Sequence, residues 1–356
     1  MKIAGIGMIF SQGLGIASLE TALQKGWQKP ADVNDPKRAN ETSPAYLVNL
    51  DAVSDKTLLK KVRRADKLSK MAVLAAADAL ADSGIEDIKQ KKIGIIIATA
   101  FGAHGTTFAF LDDILVYGDA AVSPTTFSNS VHNAAASYVS SSLNIQGPTL
   151  TITQFRFSFQ AAMQLAQTWL DQKRCDHVLV GAADQYGDVL AYVSAQKLTL
   201  ARDGKIKPFT FKPTCHVPGE GAAFFLLSGE DGGRSYCDVR SLHIYDDPFH
   251  GKSVDLNIID ADGMLPDESA YRASLAPDIP VAAYAPLFGS MMIGSSFNVA
   301  IGALMLKQQM HYAVPVQENP FGMRILAESK KADISSIRCI GFDCYGERSA
   351  VYLAKA

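Results

Sequence analysis

Cysteine is scarce and scattered: Cys175, Cys215, Cys237, Cys339 and Cys344 are odd in number and carry no CxxC spacing. That excludes a dense disulfide framework and a zinc-ribbon type of site, and it suits reduced thiols in a cytoplasm. The seven histidines are equally dispersed, so neither a metal site nor a cofactor is expected. An excess of one sign of charge is missing too. Lys and Arg total 34 against 36 Asp and Glu, with no long basic run, which argues against nucleic acid as a partner. The stretch Met1 to Phe10 is apolar with one lysine, but glycines punctuate it and no small-residue cleavage site follows. It reads as a first strand rather than a signal peptide.

Two stretches lack charge altogether. The later one, Pro280 to Leu306, has the length of a membrane span, yet Pro286, Gly289, Ser290, Gly294, Ser295, Ser296 and Asn298 interrupt it. A strand, a tight turn and a buried helix are expected there, and no membrane span. The earlier one, Ala120 to Phe155, is rich in Ser, Thr, Asn and Gly rather than greasy. A polar surface loop is one reading; burial in a core or a subunit interface is favoured, because charge is depleted at interface centres and structureless loops of that length are uncommon.

What is present is a chain of 356 residues, 48% hydrophobic, enough for one large domain or two fused halves. Strand-like segments (Lys2–Ile6, Ile93–Ala98, Thr149–Thr153, His177–Val180) alternate with helix-like ones (Ile16–Lys25, Lys67–Ser83, Phe159–Asp171). The alternation predicts an α/β fold with a largely parallel, doubly covered sheet. In the second helix Leu68, Met71, Val73, Leu74, Ala77 and Leu80 fall at helical spacing, and Gly84 supplies the stop. After the apolar strand Ala222–Leu227, the turn-rich segment Ser228–Ser235 marks a boundary between halves 1–235 and 236–356. Strands are expected again at Val239–Tyr245, Leu256–Ile259, Val281–Ala285, Cys339–Phe342 and Ser349–Leu353, with a helix over Phe297–Lys307.

Four segments, read in order, resemble the β-ketoacyl synthase family of condensing enzymes. Ser123-Pro-Thr-Thr-Phe-Ser-Asn with the Ala-rich helix after it, closed by Gly147-Pro148, is similar to the family's dimer-interface stretch leading to the nucleophile strand. Lys207-Pro208-Phe209 followed by Gly219-Glu220-Gly221-Ala222-Ala223 resembles the PFD…GEGAG signature, the most specific match. Met292 to Gly302 resembles the glycine–histidine turn and its helix, and Gly341-Phe342-Asp343-Cys344-Tyr345-Gly346 the closing glycine-rich loop. The resemblance implies a thiolase-like, five-layered αβαβα fold of two similar halves, and a dimer.

The family places a cysteine at the strand-to-helix bend, where helix N-terminal amides lower its pKa and help hold an oxyanion, with two histidines and a lysine nearby. Laid on that pattern, Phe155 takes the cysteine's place between Gln154 and Arg156, Asp262 and Ser295 take the histidines' places, and Ser290 falls near the lysine's. A phenyl ring cannot attack a thioester, and a shift of one residue restores none of the missing groups. Phe155, Arg156 and Phe157 are expected to fill the acyl space, Phe157 equally well as plain core. Arg156 is expected to be buried and therefore to need a carboxylate or carbonyls, in this subunit or across an interface. Adjacent Cys215 and His216 point to opposite faces in extended backbone, Ser158 reads as a plain helix N-terminal serine, and Glu220 as a structural carboxylate.

This loss of chemistry resembles that of chain-length factors, the silent partners of true ketosynthases; an Ala-Asp-Gly where the enzymes have Ala-His-Gly adds to it. The better-known members differ in carrying Gln at the cysteine position, where this chain has Phe155, and the chain is short between Leu227 and Pro280. The resemblance implies a heterodimer with an intact ketosynthase and an acyl carrier protein as donor, in polyketide, aryl-polyene or fatty-acid-like synthesis. It also sets Phe108, Phe110, Leu111 and Ile114, on the helix-like segment Thr106–Tyr117, against the partner's acyl tunnel. Core packing is the rival reading for those four. The rival functions are acyl transfer or hydrolysis with a non-standard nucleophile, and a homodimeric scaffold.

Overall fold

The structure, a computed structural model, describes residues 1–35, 37–38, 40–85, 90–118, 120, 122–211, 215–229, 234–245, 254–265, 269–343 and 345–356. Ten strands carry the architecture. In the first part of the chain they are β1 (Lys2–Phe10), β2 (Ile93–Thr99), β3 (Thr149–Thr153), β4 (His177–Asp184) and β5 (Gly221–Ser228). In the second they are β6 (Cys237–Ile244), β7 (Leu256–Ile259), β8 (Val281–Ala283), β9 (Ser336–Phe342) and β10 (Arg348–Ala354).

The first five lie in the order β1-β5-β4-β2-β3 and the second five in the order β6-β10-β9-β7-β8. The directions match as well. β5 is antiparallel to both β1 and β4, while β4, β2 and β3 run parallel; β10 is antiparallel to both β6 and β9, while β9, β7 and β8 run parallel. A short antiparallel contact, Ile3 with Cys237, joins the two sets into one continuous sheet. The chain thus builds the same five-strand pattern twice, although no sequence repeat is visible by eye. Within the proposed boundary segment, residues 230–233 lie outside the described residues.

The helices that matter are α1 (Ile16–Lys25), α2 (Lys67–Ser83), α3 (His104–Tyr117), α4 (Pro124–Ser130), α5 (Ala134–Leu143), α6 (Ser158–Asp171), α7 (Asp188–Lys197), α8 (Ser269–Ser274) and α9 (Gly294–Gln308). α2 and α5 cover the outer face of the first sheet, α6 and α9 lie between the sheets, and α8 caps the outer face of the second. This is the five-layered α/β arrangement. Strand alternation explains it: Ile93, Ile95, Ile97, Phe224 and Leu226 face the outer core with α2, while Ile96, Ala98, Phe225 and Leu227 face the central core with Phe159 and Met163. On β9, Cys339 meets the Asn298 carbonyl of α9 and buried Arg338 turns to the Ser274 carbonyl of α8.

Local chemistry sets the ends of α2. Asp66 accepts from the Ser69 N–H at 2.8 Å, and Gly84 stops the helix in the left-handed conformation at φ 63°. Close packing of α2 on β1 requires glycine: a Cβ on Gly7 would lie 2.1 Å from the Ala75 carbonyl oxygen. The charge-free segment 280–306 resolves into β8, a short 3₁₀ turn at Ala285–Leu287 and α9, and among the described residues no helix is long and apolar enough to cross a membrane. Pro286 in that turn ends β8 two residues before the expected Ala285.

Candidate functional site

Residues 154–157 turn the chain from β3 into α6. The Gln154 N–H donates to the Thr99 carbonyl at 3.2 Å, its side-chain Nε2 donates to the Arg156 carbonyl at 2.6 Å, and Phe157 takes φ 53° and ψ 31° at the helix start. A left-handed phenylalanine costs about 1–2 kcal/mol. Burial holds it there: Phe157 is enclosed, edge-on to Tyr245 at 5.5 Å between ring centroids. Phe155 does the opposite of filling an acyl pocket. It is 62% exposed and leans on Phe101 at 5.2 Å, while Phe157, two residues on, turns into the interior.

Arg156 is not buried either; its side chain keeps 36% of its exposure. Its acceptors lie in its own chain, with Nη1 at 2.9 Å from both Asp343 Oδ2 and Glu347 Oε2 and the guanidinium 4.4 Å over the Tyr345 ring. Asp343 in turn folds its own loop, its Oδ1 accepting the N–H groups of Tyr345 and Glu347 at 2.8 and 3.0 Å. The bend therefore presents a cation neutralised by carboxylates. Cys344, in the same loop, lies outside the described residues.

Of the other positions singled out in the sequence, the structure brings Asp262 and Ser290 together and leaves Ser295 apart. Ser290 Oγ donates to the Asp262 main-chain carbonyl at 2.5 Å and accepts the Val217 N–H at 3.1 Å, so its hydroxyl is committed and is no activated nucleophile. Ser295 sits in the first turn of α9, half-buried. The Asp262 carboxyl is pushed up to about 8, first by burial and then by the neighbouring charge of Asp260. Asp260, which sequence reasoning overlooked, is the organiser. Its carboxylate accepts from Ala261 N–H, from the Tyr271 hydroxyl and, at 2.8 Å, from Phe342 N–H, pinning the end of β7 to the end of β9. Gly263 must be glycine: φ is +83° and a Cβ would lie 2.0 Å from the Cys215 carbonyl oxygen.

The remaining candidates behave structurally. His216 is buried with Nδ1 2.9 Å from the Thr199 carbonyl, while Cys215 is half-exposed beside it. Ser158 is the first residue of α6. Glu220 is fully buried and accepts from the N–H groups of Val48 and Tyr186 and from Lys67. Core packing fails as an account of α3, since His104 is its only buried residue. Phe108 and Leu111 are 40% and 44% exposed, Phe110 and Ile114 half-exposed, and Leu115, Val116 and Tyr117 largely bare. Phe127 of α4, Val131 and Leu150 of the sheet-edge strand β3 extend the same apolar exposure. So the charge-free segment Ala120 to Phe155 is split: Ala134, Ala135, Ala136 and Val139 of α5, with Ile145 after it, enter the core, while Phe127, Val131, Leu150 and Phe155 face out.

Comparison with known proteins bears on the family and the fold. A family model described as the N-terminal domain of β-ketoacyl synthase matches residues 2–231, more than half of the chain. Relatives include a putative polyketide β-ketoacyl synthase 1 of Streptomyces halstedii, 25% identical over 70% of this chain and 64% of its own length. Nodulation protein E of Rhizobium meliloti is 25% identical over 61% of this chain and 54% of its own. The chain thus spans less than two thirds of the length of these relatives. Among solved structures, a β-ketoacyl synthase from Burkholderia phymatum superposes with a TM-score of 0.80 at 17% identity over the whole of both chains. The ishigamide ketosynthase/chain length factor superposes with 0.79 at 16% identity, covering 100% of this chain and 98% of that one. A type II polyketide acyl-carrier protein in complex with its ketosynthase gives 0.78 at 14%, covering 100% and 99%.

Proposed function

Because the chain belongs to the β-ketoacyl synthase family, we propose that it is a non-catalytic, chain-length-factor-like subunit that pairs with an intact ketosynthase and shapes its acyl tunnel. The observation that carries this reading is the bend after β3, where Phe155 and a carboxylate-bound Arg156 stand in place of a nucleophile. An arginine bound to carboxylates cannot open a thioester, and Asp262, Ser290 and Ser295 offer no imidazole for decarboxylation. The partner supplies cysteine and histidines, and an acyl carrier protein delivers malonyl and growing chains.

The bare face of α3, α4 and β3 supports the pairing. Contiguous exposed apolar side chains of this kind mark interaction surfaces, and β3 leaves one row of backbone groups unpaired at the sheet edge. In this reading Phe108, Phe110, Leu111 and Ile114 lie over the partner's tunnel and limit the length of the chain that fits. The setting is polyketide, aryl-polyene or fatty-acid-like synthesis in the cytoplasm, and halves 1–235 and 236–356 are the two units of the duplicated fold. Co-expression with the ketosynthase encoded beside it tests the proposal. One-to-one co-purification, with condensation only when both chains are present, is expected; a monodisperse lone chain that ignores the ketosynthase contradicts it.

A further inference from the structure

Away from the bend, an open trench of ≈ 570 Å³ is lined by the end of α1, by Trp27 and Lys205, and by segment 313–318 after α9. Gly26, at φ 71°, stops α1 and turns the chain toward Trp27. The Trp27 Nε1–H donates to the Gly204 carbonyl at 3.2 Å, and Lys205, next in sequence, holds its ammonium 4.7 Å from the centre of the indole ring. Segment 313–318 alternates: Val314 and Val316 are buried, Ala313 and Pro315 half-buried, and Gln317 exposed. It is pinned from behind, Val314 N–H donating to the Leu326 carbonyl and the Gln317 side chain to the Ala327 carbonyl, both at 2.8 Å.

What the trench lacks is a counter-charge. Lys25, in the last turn of α1, and Lys205 both line it, and neither forms an ion pair among the described residues. The carboxylates beside them are spent: Glu318, also in the lining, binds Lys207 Nζ at 3.1 Å, and Asp203 Oδ1 accepts the Lys205 N–H at 3.0 Å. Exposed Ser329 accepts the Ala313 N–H at 2.9 Å, and its hydroxyl proton is left to donate. The unsatisfied groups are therefore cations and a donor, which select an anion. Lys205 is the better prepared of the two lysines, because the indole face holds its ammonium in place before any ligand arrives.

Size and surroundings decide what kind of anion. At roughly 10–15 Å³ per water the trench holds on the order of forty waters, far more than a small organic acid displaces, so a chain segment fits it better. Two unpaired cations are too few to grip a phosphate backbone. A lipid surface does not fit either, since none of the lining residues is among the exposed large hydrophobics. Pro315 carries no N–H and blunts strand addition along segment 313–318, which leaves recognition to side chains. We propose that the trench docks an acidic peptide segment of another protein, with one carboxylate on Lys205, a second on Lys25 and an apolar residue between them over Leu23 and Val314. No residue of the bend or of the bare face of α3, α4 and β3 lines it, so the site stands independently of the silent-subunit reading.

The test titrates the purified full chain with a short peptide alternating glutamate and leucine, with its glutamine–leucine counterpart and with free glutarate. Calorimetry is one readout and tryptophan emission the other, Trp27 being one of two tryptophans and Trp169, the second, being buried. Saturable binding of the acidic peptide, about tenfold or more tighter than either of the others and with a change in emission, is expected. Lys25→Glu and Lys205→Glu each weaken it about fivefold or more, whereas Lys61→Glu, in the exposed basic run 60–64 outside the trench, leaves it within about twofold. Circular dichroism checks the variants; if Lys205→Glu unfolds, Lys25→Glu decides. Equal affinity for the glutamine peptide or glutarate, absence of saturable binding, equal weakening by Lys61→Glu, or undiminished binding in a folded trench variant overturns the proposal.

Discussion

The two edge strands β3 and β8 occupy the same place in the duplicated sheet, yet one is bare and the other covered. All three residues of β8 are buried, and the chain itself closes that edge: Val281 N–H donates to the Arg324 carbonyl at 2.9 Å, and Leu326 N–H donates back to Val281 at 3.3 Å. Among the described residues β3 has no such cover, and Thr149, Leu150 and Thr153 are exposed. The apolar surface follows the same division. Of the sixteen large hydrophobic residues exposed among the described residues, twelve lie between Phe108 and Val193. The open edge, with its exposed apolar side chains, is where the proposed partner would pack.

The same substitution at the two edges breaks the comparison most sharply. Ala282→Asp places an unpaired charge in the core and costs about 3–5 kcal/mol, read as a collapse of the urea midpoint. Leu150→Asp leaves the lone chain's stability within about 0.5 kcal/mol and removes co-purification with the ketosynthase. If Leu150→Asp unfolds the chain or leaves the complex intact, the contrast between the edges is wrong.

A smaller effect comes from Asp262. Its folded carboxyl titrates at about 8, above the unfolded value near 3.9. Between those values the folded state holds a proton that the unfolded chain has released, so stability falls as pH rises through the window. Asp262→Asn removes that slope. Relative to the wild type it gains about 1 kcal/mol or more between pH 5 and pH 9, and a difference that shrinks with rising pH counts against the burial of this carboxyl.

Arg156→Ala loosens the loop that Asp343 folds, and at a site one-third exposed the loss of global stability is small. Faster amide exchange at Tyr345 and Glu347 accompanies it; unchanged protection shows that the guanidinium does not hold the loop. Smallest in stability is Phe108→Ala, within about 0.5 kcal/mol, against about 3–5 kcal/mol for core Phe159→Ala. Its effect appears in products instead, as longer chains made by the complex, and unchanged product lengths remove Phe108 from the tunnel.

Much of this was legible in the residues. Helical spacing and Gly84 mark α2 from Lys67 to Ser83, and β3 and β7 begin and end where apolar runs meet turn residues. The family motifs locate the bend and the Glu220 carboxylate. Orientation was not legible. Phe157 takes a left-handed conformation at the bend and Phe155 lies exposed, and no local pattern announces either. Arg156 finds Glu347 191 residues away, a pairing that only the closed sheet creates. α3 has the composition of a core helix, and exposure alone distinguishes it from one.

The most direct test of the silent bend is intact mass and product analysis of the purified lone chain after incubation with malonyl and acyl thioesters of a carrier protein. The account predicts an unmodified polypeptide and no new carbon–carbon bond until an intact ketosynthase is added. A covalent acyl adduct on this chain, or condensation without the second subunit, would contradict it.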